Sequence, residues 1–206
     1  MKGNRSLDLK KRVAREAAIL LYTLQEKEYK QAKTKAAQTL AARGLPSNLE
    51  VAKELDKIAE EREGRSRQER LLQMRREALQ VMELLKKFNP KLTGSVWRGT
   101  ARKDSDIDIV TFASAPKNVL AQLQKSNFNI AKTEWLSVTK RGRKEASFHI
   151  HLTLSSSNEV EVVVRSPERI DIKERCEIYG DSVTGLSYLQ LERVLEENPL
   201  QKFVPK

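Results

Sequence analysis

Gly94-Ser95-Val96-Trp97-Arg98-Gly99-Thr100-Ala101-Arg102-Lys103-Asp104-Ser105-Asp106-Ile107-Asp108-Ile109-Val110 is the stretch that organises the rest of the chain. Its end, Ile107 to Phe112, reads as a strand because branched and aromatic residues dominate it. Asp106 and Asp108 are two apart, so on a strand both carboxylates project from one face. Carboxylates held side by side repel one another unless cations sit between them. Hard divalent ions such as Mg²⁺ bind carboxylates and substrate phosphates together. At the other end, Gly94-Ser95 falls between a short strand and a helical turn. The glycine lets a phosphate approach the backbone, the serine adds a hydroxyl, and the helical turn adds free N–H donors. A phosphate cradle beside paired carboxylates implies metal-assisted attack on a nucleoside triphosphate.

Downstream, Pro116–Lys125 suits a short helix. Asn129–Thr139 and Glu145–Leu154 alternate like strands. Ser155–Asn158 is a turn, and Glu159–Arg165 is a further strand that forms a hairpin with the one before it. Ser166-Pro167 opens a helix toward Cys176, with Pro at its first position. Ser187 caps a last helix that Pro199 ends. Upstream, apolar residues recur at helical spacing from Leu7 to Leu40, with a break expected near Tyr29–Thr34. Gly44 is expected at the left-handed position after that run. Ser47-Asn48-Leu49-Glu50 has the form of a capping box and starts a helix carrying Val51, Leu55 and Ile58. Gly64 is expected to stop it, Ser66 to cap a third helix, and Asn89-Pro90 to end that one near Lys87.

The fold class that follows is α+β: a mixed sheet of four or five strands with flanking helices, preceded by an all-helical N-terminal region. The expected division is residues 1–90 helical, 91–165 catalytic core, and 166–206 C-terminal helices packing on the core.

The chain has 206 residues, enough for a core without disulfides or structural metal. Lys and Arg number 39 and Asp and Glu 28, a net charge of +11. Residues 1–90 hold 21 basic and 13 acidic side chains, so +8 of that excess lies there. Such charge suits a polyanionic partner, nucleic acid foremost, and equally suits solvated helix surfaces. One cysteine, Cys176, forbids an intrachain disulfide and points to a cytoplasmic setting. With only two histidines, a typical Cys/His zinc site is excluded. No apolar run has the length of a membrane span, and the basic N-terminus is not followed by a secretory pattern. No membrane partner is expected.

The pattern G-S-x-x-R-G-x-x-x-x-x-S-D-I-D resembles the signature of the DNA polymerase β-like nucleotidyltransferase superfamily. The similarity is greatest to minimal nucleotidyltransferases, with a further likeness to the head domain of archaeal-type CCA-adding enzymes. It covers about residues 91–165. The family's Gly-Ser pair falls on Gly94 and Ser95, its Arg-Gly pair on Arg98 and Gly99, and its Asp-x-Asp on Asp106 and Asp108. The resemblance implies a third carboxylate on a later strand, where Val160-Glu161-Val162-Val163 stands. Glu161 replaces the family's usual Asp, so its longer side chain must fold back to reach the same metal. Glu159 shares its face and is the alternative. The third group binds metal or acts as general base toward the acceptor hydroxyl.

The resemblance further implies two Mg²⁺ ions, or Mn²⁺, on Asp106, Asp108 and Glu161. An NTP, ATP first among them, would be held by Gly94, Ser95 and Arg98. The NMP would pass to a hydroxyl of an acceptor such as RNA, with release of pyrophosphate. Two other readings stand beside this one: protein AMP transfer of the antitoxin type, and a non-catalytic RNA-binding or regulatory protein on the same scaffold. Several residues carry two readings each. Arg98 could meet phosphate or serve the scaffold, and Arg102 and Lys103 could steer nucleotide or stay solvated. Ser105 is expected to shape its turn. His149 and His151 share a strand face, and a structural or solvent-facing role is preferred to metal binding. Cys176 is expected to pack. Trp97 could stack on a base or pack its loop, and the basic turn Lys140–Lys144 could grip RNA or be an ordinary loop. The N-terminal helices could hold RNA, cap the core or form a homo-oligomer; their apolar stripes require packing against something.

Overall fold

The structure, a computed structural model, describes residues 2–126, 128–140 and 143–205, with side chains except at 2–6, 138–140 and 143–144. It divides into two compact units. One comprises residues 1–67, 175–182 and 205–206, the other residues 68–174 and 183–204.

The first unit is helical. Helix α1 spans Lys2–Tyr22 and α2 Tyr29–Thr39; α3, Asn48–Leu84, contributes its first part. Val13, Ala14, Ala17, Leu21, Ala32, Ala36, Val51, Leu55, Ile58 and Ala59 form its core. The many alanines leave little side chain between the helices and allow close approach. The apolar stripes of α1 and α2 are therefore satisfied within their own unit. The break between these helices lies at residues 23–28, before the Tyr29–Thr34 segment expected to hold it. Helix α2 ends at Thr39, and the left-handed residue after it is Ala41 (φ 48°), not Gly44. Ser47 caps α3 as expected: its Oγ accepts from the Glu50 amide at 3.1 Å, and the Glu50 carboxylate accepts from the Ser47 amide at 2.7 Å. Gly64 (φ 50°, ψ −127°) interrupts α3 as a kink rather than ending it. Only glycine adopts that backbone freely.

The second unit holds a six-stranded sheet: β1 Lys91–Thr93, β2 Ile107–Phe112, β3 Asn129–Lys140, β4 Arg143–Thr153, β5 Glu159–Arg165 and β8 Leu186–Ser187. Strands β6 (Glu174–Arg175) and β7 (Ser182–Val183) form a separate ribbon. The order is β3-β4-β5-β2-β1-β8, with β2 and β5 parallel and the other pairs antiparallel. The sixth strand, absent from the expected four or five, is β8. Two residues are too few to show alternation. Helices α4 (Gly94–Arg98), α5 (Pro116–Gln124) and α6 (Tyr188–Glu197) complete the unit. Ile107, Ile109, Ile150, Leu152, Val160, Val162 and Val164 turn to one face, packed with Met74, Ala78, Met82, Val119, Leu123 and Leu191 from the helices. The opposite face is free to carry polar groups. The Ser187 capping box opens α6 as expected. The helix expected from Ser166 is only the short turn Pro167–Arg169. Cys176 sits instead in a loop where its amide donates to the Asp181 carbonyl at 2.7 Å, so it is not a helical packing residue.

Arg75 is an unexpected core member, fully buried on α3. Its guanidinium donates to four carbonyl oxygens: Val96 (3.1 Å), Trp97 (2.9 Å), Pro199 (2.6 Å) and Gln201 (2.8 Å). Burial alone pushes its pKa down to about 10, still charged at neutral pH. Arg75→Met keeps the stem and strips these carbonyls of a donor. It should destabilise the protein by about 3 kcal/mol, since each orphaned buried acceptor carries a penalty. Urea unfolding checks this, and a loss below about 1 kcal/mol would contradict it.

Candidate active site

Asp108 lies on β2 between the buried Ile107 and Ile109, so strand alternation alone turns its carboxylate to the free face. The parallel β2–β5 register sets Glu161 directly beside it, and Val160 and Val162 anchor that strand in the core. Asp106 is one strand period before Asp108. Ligand oxygens of Asp106, Asp108 and Glu161 lie within 4.8 Å of one another. Three of the residues expected at the site are thus brought together by two strands. Glu161, not Glu159, completes the trio; Glu159 is more exposed, one period farther out.

Gly94 closes the cluster from β1. Thr93 pairs with Asp108 across the β1–β2 ladder, which carries the next residue over the carboxylate. Gly94 has φ 67°, and a Cβ there would stand 1.8 Å from Asp108 Oδ2. The glycine is required both by its backbone and by this close approach. Ser95 follows at the start of α4, half-buried. Ser105 shapes the loop before the aspartates, as expected: its Oγ accepts from the Arg102 amide at 2.9 Å.

The electrostatics match a cation site. Burial pushes the Asp108 pKa up to about 7, and the Asp106 and Glu161 charges push the same way. Burial also raises Asp106; a backbone hydrogen bond opposes this, while Glu161 and Glu159 reinforce it. Three crowded oxygen donors, two held above their ordinary pKa, are a fitting donor set for a hard divalent ion.

The sign of the resulting pH effect is fixed. Folding raises the Asp108 pKa from 3.8 to about 7, so the folded state holds that proton more tightly than the unfolded chain. The group therefore costs stability as pH rises from about 4 to about 7, and the cost is constant above that. Without divalent ions, Asp108→Asn should melt about 5 °C above wild type at pH 8. The gap should close toward pH 4. Thermal unfolding in a chelator across this range checks it; a variant melting below wild type at pH 8 would refute it.

Arg98 and Trp97 are both buried. Arg98 is 4% exposed, stacks on the Trp97 ring at 4.4 Å, and donates from Nη1 to the Phe203 carbonyl at 3.0 Å. Trp97 is likewise buried in the core and packs its loop. Of the basic turn Lys140–Lys144, Arg141, Gly142 and the flanking side chains lie outside the described residues.

His149 and His151 are drawn into the site. His149 Nδ1 is 2.6 Å from Glu161 Oε1, and its Nε2 is 2.8 Å from Ser147 Oγ. His151 Nε2 is 3.2 Å from Glu134 Oε1 and 3.8 Å from Glu161 Oε1. Both rings therefore face carboxylates, not merely solvent. The i, i+2 spacing showed that they share a face; only the β4–β5 register shows that the face is that of Glu161.

The chain belongs to the nucleotidyltransferase domain family, which it matches over residues 76–180, just over half of its length. That span contains Gly94, Asp106, Asp108 and Glu161, in keeping with the superfamily resemblance of the signature. A comparison with curated proteins found no match. Similar solved structures include the Cid1 poly(U) polymerase crystal structure, at 21% identity over 45% of this chain and 30% of that one (TM-score 0.34). Cid1 in complex with the UTP analogue UMPNPP is similar at 21% identity, over 58% and 38% of the respective chains (TM-score 0.35). This chain thus spans only about a third of the length of each of these structures, 30% of one and 38% of the other. No helix among the described residues is long and apolar enough to cross a membrane.

Proposed function

We propose that this protein transfers a nucleoside monophosphate from an NTP to a hydroxyl of an acceptor, with release of pyrophosphate. The observation that carries the reading is the convergence of Asp106, Asp108 and Glu161 beside Gly94, inside the segment that matches the family. Asp106, Asp108 and Glu161 would hold divalent cations, Mg²⁺ or Mn²⁺. When bound, these supply positive charge that offsets the triphosphate and the developing negative charge of the reaction. Gly94 and Ser95 accept the triphosphate against the backbone. The acceptor oxygen forms a bond to the α-phosphorus as the bond from that phosphorus to the β-phosphate oxygen breaks. The hydroxyl proton leaves to a carboxylate of the site, for which Glu161 is suited, or to water. Arg98, whose Nη1 donates to the Phe203 carbonyl, would support the loop that carries Gly94 and Ser95. The segment 91–165 is the catalytic core of this reading.

ATP is the first donor to test. RNA is the preferred acceptor because the net charge is +11, with most of the excess before residue 90. The single cysteine supports a cytoplasmic setting. The test is a labelling assay: each α-labelled NTP with Mg²⁺ or Mn²⁺, and either small RNA or protein extract. Label on RNA, absent with Asp106→Ala/Asp108→Ala, is the expected result. Label on protein would replace the RNA acceptor by a protein hydroxyl. No label on either, with folded protein that binds RNA, would favour the non-catalytic scaffold.

A further inference from the structure

We propose that His149 is a positioning residue that holds the Glu161 carboxylate in its ligating orientation. The inference rests on the metal-dependent reading of the site given above and deepens it. Glutamate has one more rotatable bond than aspartate, so a glutamate at this place is held less firmly by its backbone. Strand β4 supplies what the backbone does not. His149 Nδ1 stands 2.6 Å from Glu161 Oε1, with the imidazole side chain 12% exposed and the carboxylate side chain 24% exposed. An ionised carboxylate can only accept, so the Nδ1–H donates to it. The other nitrogen, Nε2, is then left to accept from the Ser147 hydroxyl at 2.8 Å. Ser147 thereby fixes the ring and its tautomer, and the ring fixes Glu161. One carboxylate oxygen is thus tied to β4 in a side chain that also offers a ligand oxygen within 4.8 Å of those of Asp106 and Asp108. His151, 3.8 Å from the same oxygen and shared with Glu134, is a weaker constraint.

The experiment measures Mn²⁺ binding to the nucleotide-free protein by electron paramagnetic resonance of the free ion, alongside nucleotidyl transfer. His149→Leu should weaken Mn²⁺ binding about 10-fold, in the range found when an orienting partner of a metal ligand is lost. His149→Asn places an amide donor near the Nδ1 position and should restore binding to within about 3-fold of wild type, on the same scale. In a Glu161→Ala background, His149→Leu should change nothing further, because the residue acts only through Glu161. Unchanged Mn²⁺ affinity in His149→Leu would overturn the inference. So would a full further loss in the Glu161→Ala background, which would make His149 a ligand itself, and so would failure of His149→Asn to restore binding. Wild type that binds no Mn²⁺, or no more than Asp106→Ala/Asp108→Ala, would instead remove the metal-site reading and this inference with it.

Discussion

Asp106→Ala/Asp108→Ala should leave a folded protein whose nucleotidyl transfer falls at least about a thousandfold below wild type. The magnitude follows from what the two carboxylates would hold. Loss of bound divalent charge removes several kcal/mol of transition-state stabilisation, and each 1.36 kcal/mol is about tenfold in rate. The fold should survive, because neither carboxylate is part of the core and the two repel one another. Melting in the presence of a chelator should be equal to or above that of wild type. The measurement is the labelling assay under saturating Mg²⁺ and NTP. Retention of more than about a tenth of wild-type activity would reject the carboxylates as the centre of the reaction.

The second large effect comes from a single methyl group. Gly94→Ala would set a carbon 1.8 Å from Asp108 Oδ2 and 2.7 Å from its Cγ. The methyl and the carboxylate cannot both keep their places. The backbone at φ 67° adds a further cost of about 1 kcal/mol for alanine. Transfer should fall at least about a hundredfold, as expected when reacting groups are displaced by an ångström or more. Gly44→Ala is the matched control. A Cβ at Gly44 meets nothing within 4 Å, and its φ is not positive. That variant should keep full activity and gain slightly in stability through a less flexible unfolded chain. Equal activities in the two variants would refute the argument from close approach.

The part of the site that the sequence discloses is the part built from local spacing. Asp106 and Asp108 share a face because strands have a period of two, whatever surrounds them. Gly94-Ser95 could be placed at a strand-to-helix turn for a similar reason, and the Glu159–Arg165 strand advertised itself by alternation. What could not be read was set by register and by packing at long sequence separation. His149 opposes Val163, and its ring reaches Glu161 one position diagonally; no local pattern encodes that pairing. Arg75 looks like any arginine of a charged helix, yet its partners are carbonyls more than 120 residues away as well as nearby ones. Arg98 stands out in its motif, while its bond to the Phe203 carbonyl, 105 positions away, has no local signal. Helix ends were misplaced where a non-glycine residue took the left-handed conformation, as at Ala41. Propensity favours glycine there, yet the exposed Ala41 takes the position.

The helical unit is discontinuous, and this bears on how the protein is made. Residues 175–182 belong to the same unit as residues 7–67 but are synthesised only after the whole six-stranded sheet except its short last strand. Asn48, whose side-chain amide donates to the Glu177 carbonyl at 3.1 Å, must wait for a partner 129 positions later. The nascent helices therefore emerge as an unfinished body, with the Asn48 side-chain amide still open to water or to a chaperone. Translation that halts anywhere before residue 175 yields helices lacking their last segment, so a product cut short there differs in both units from one that runs through residue 182, not in the sheet unit alone.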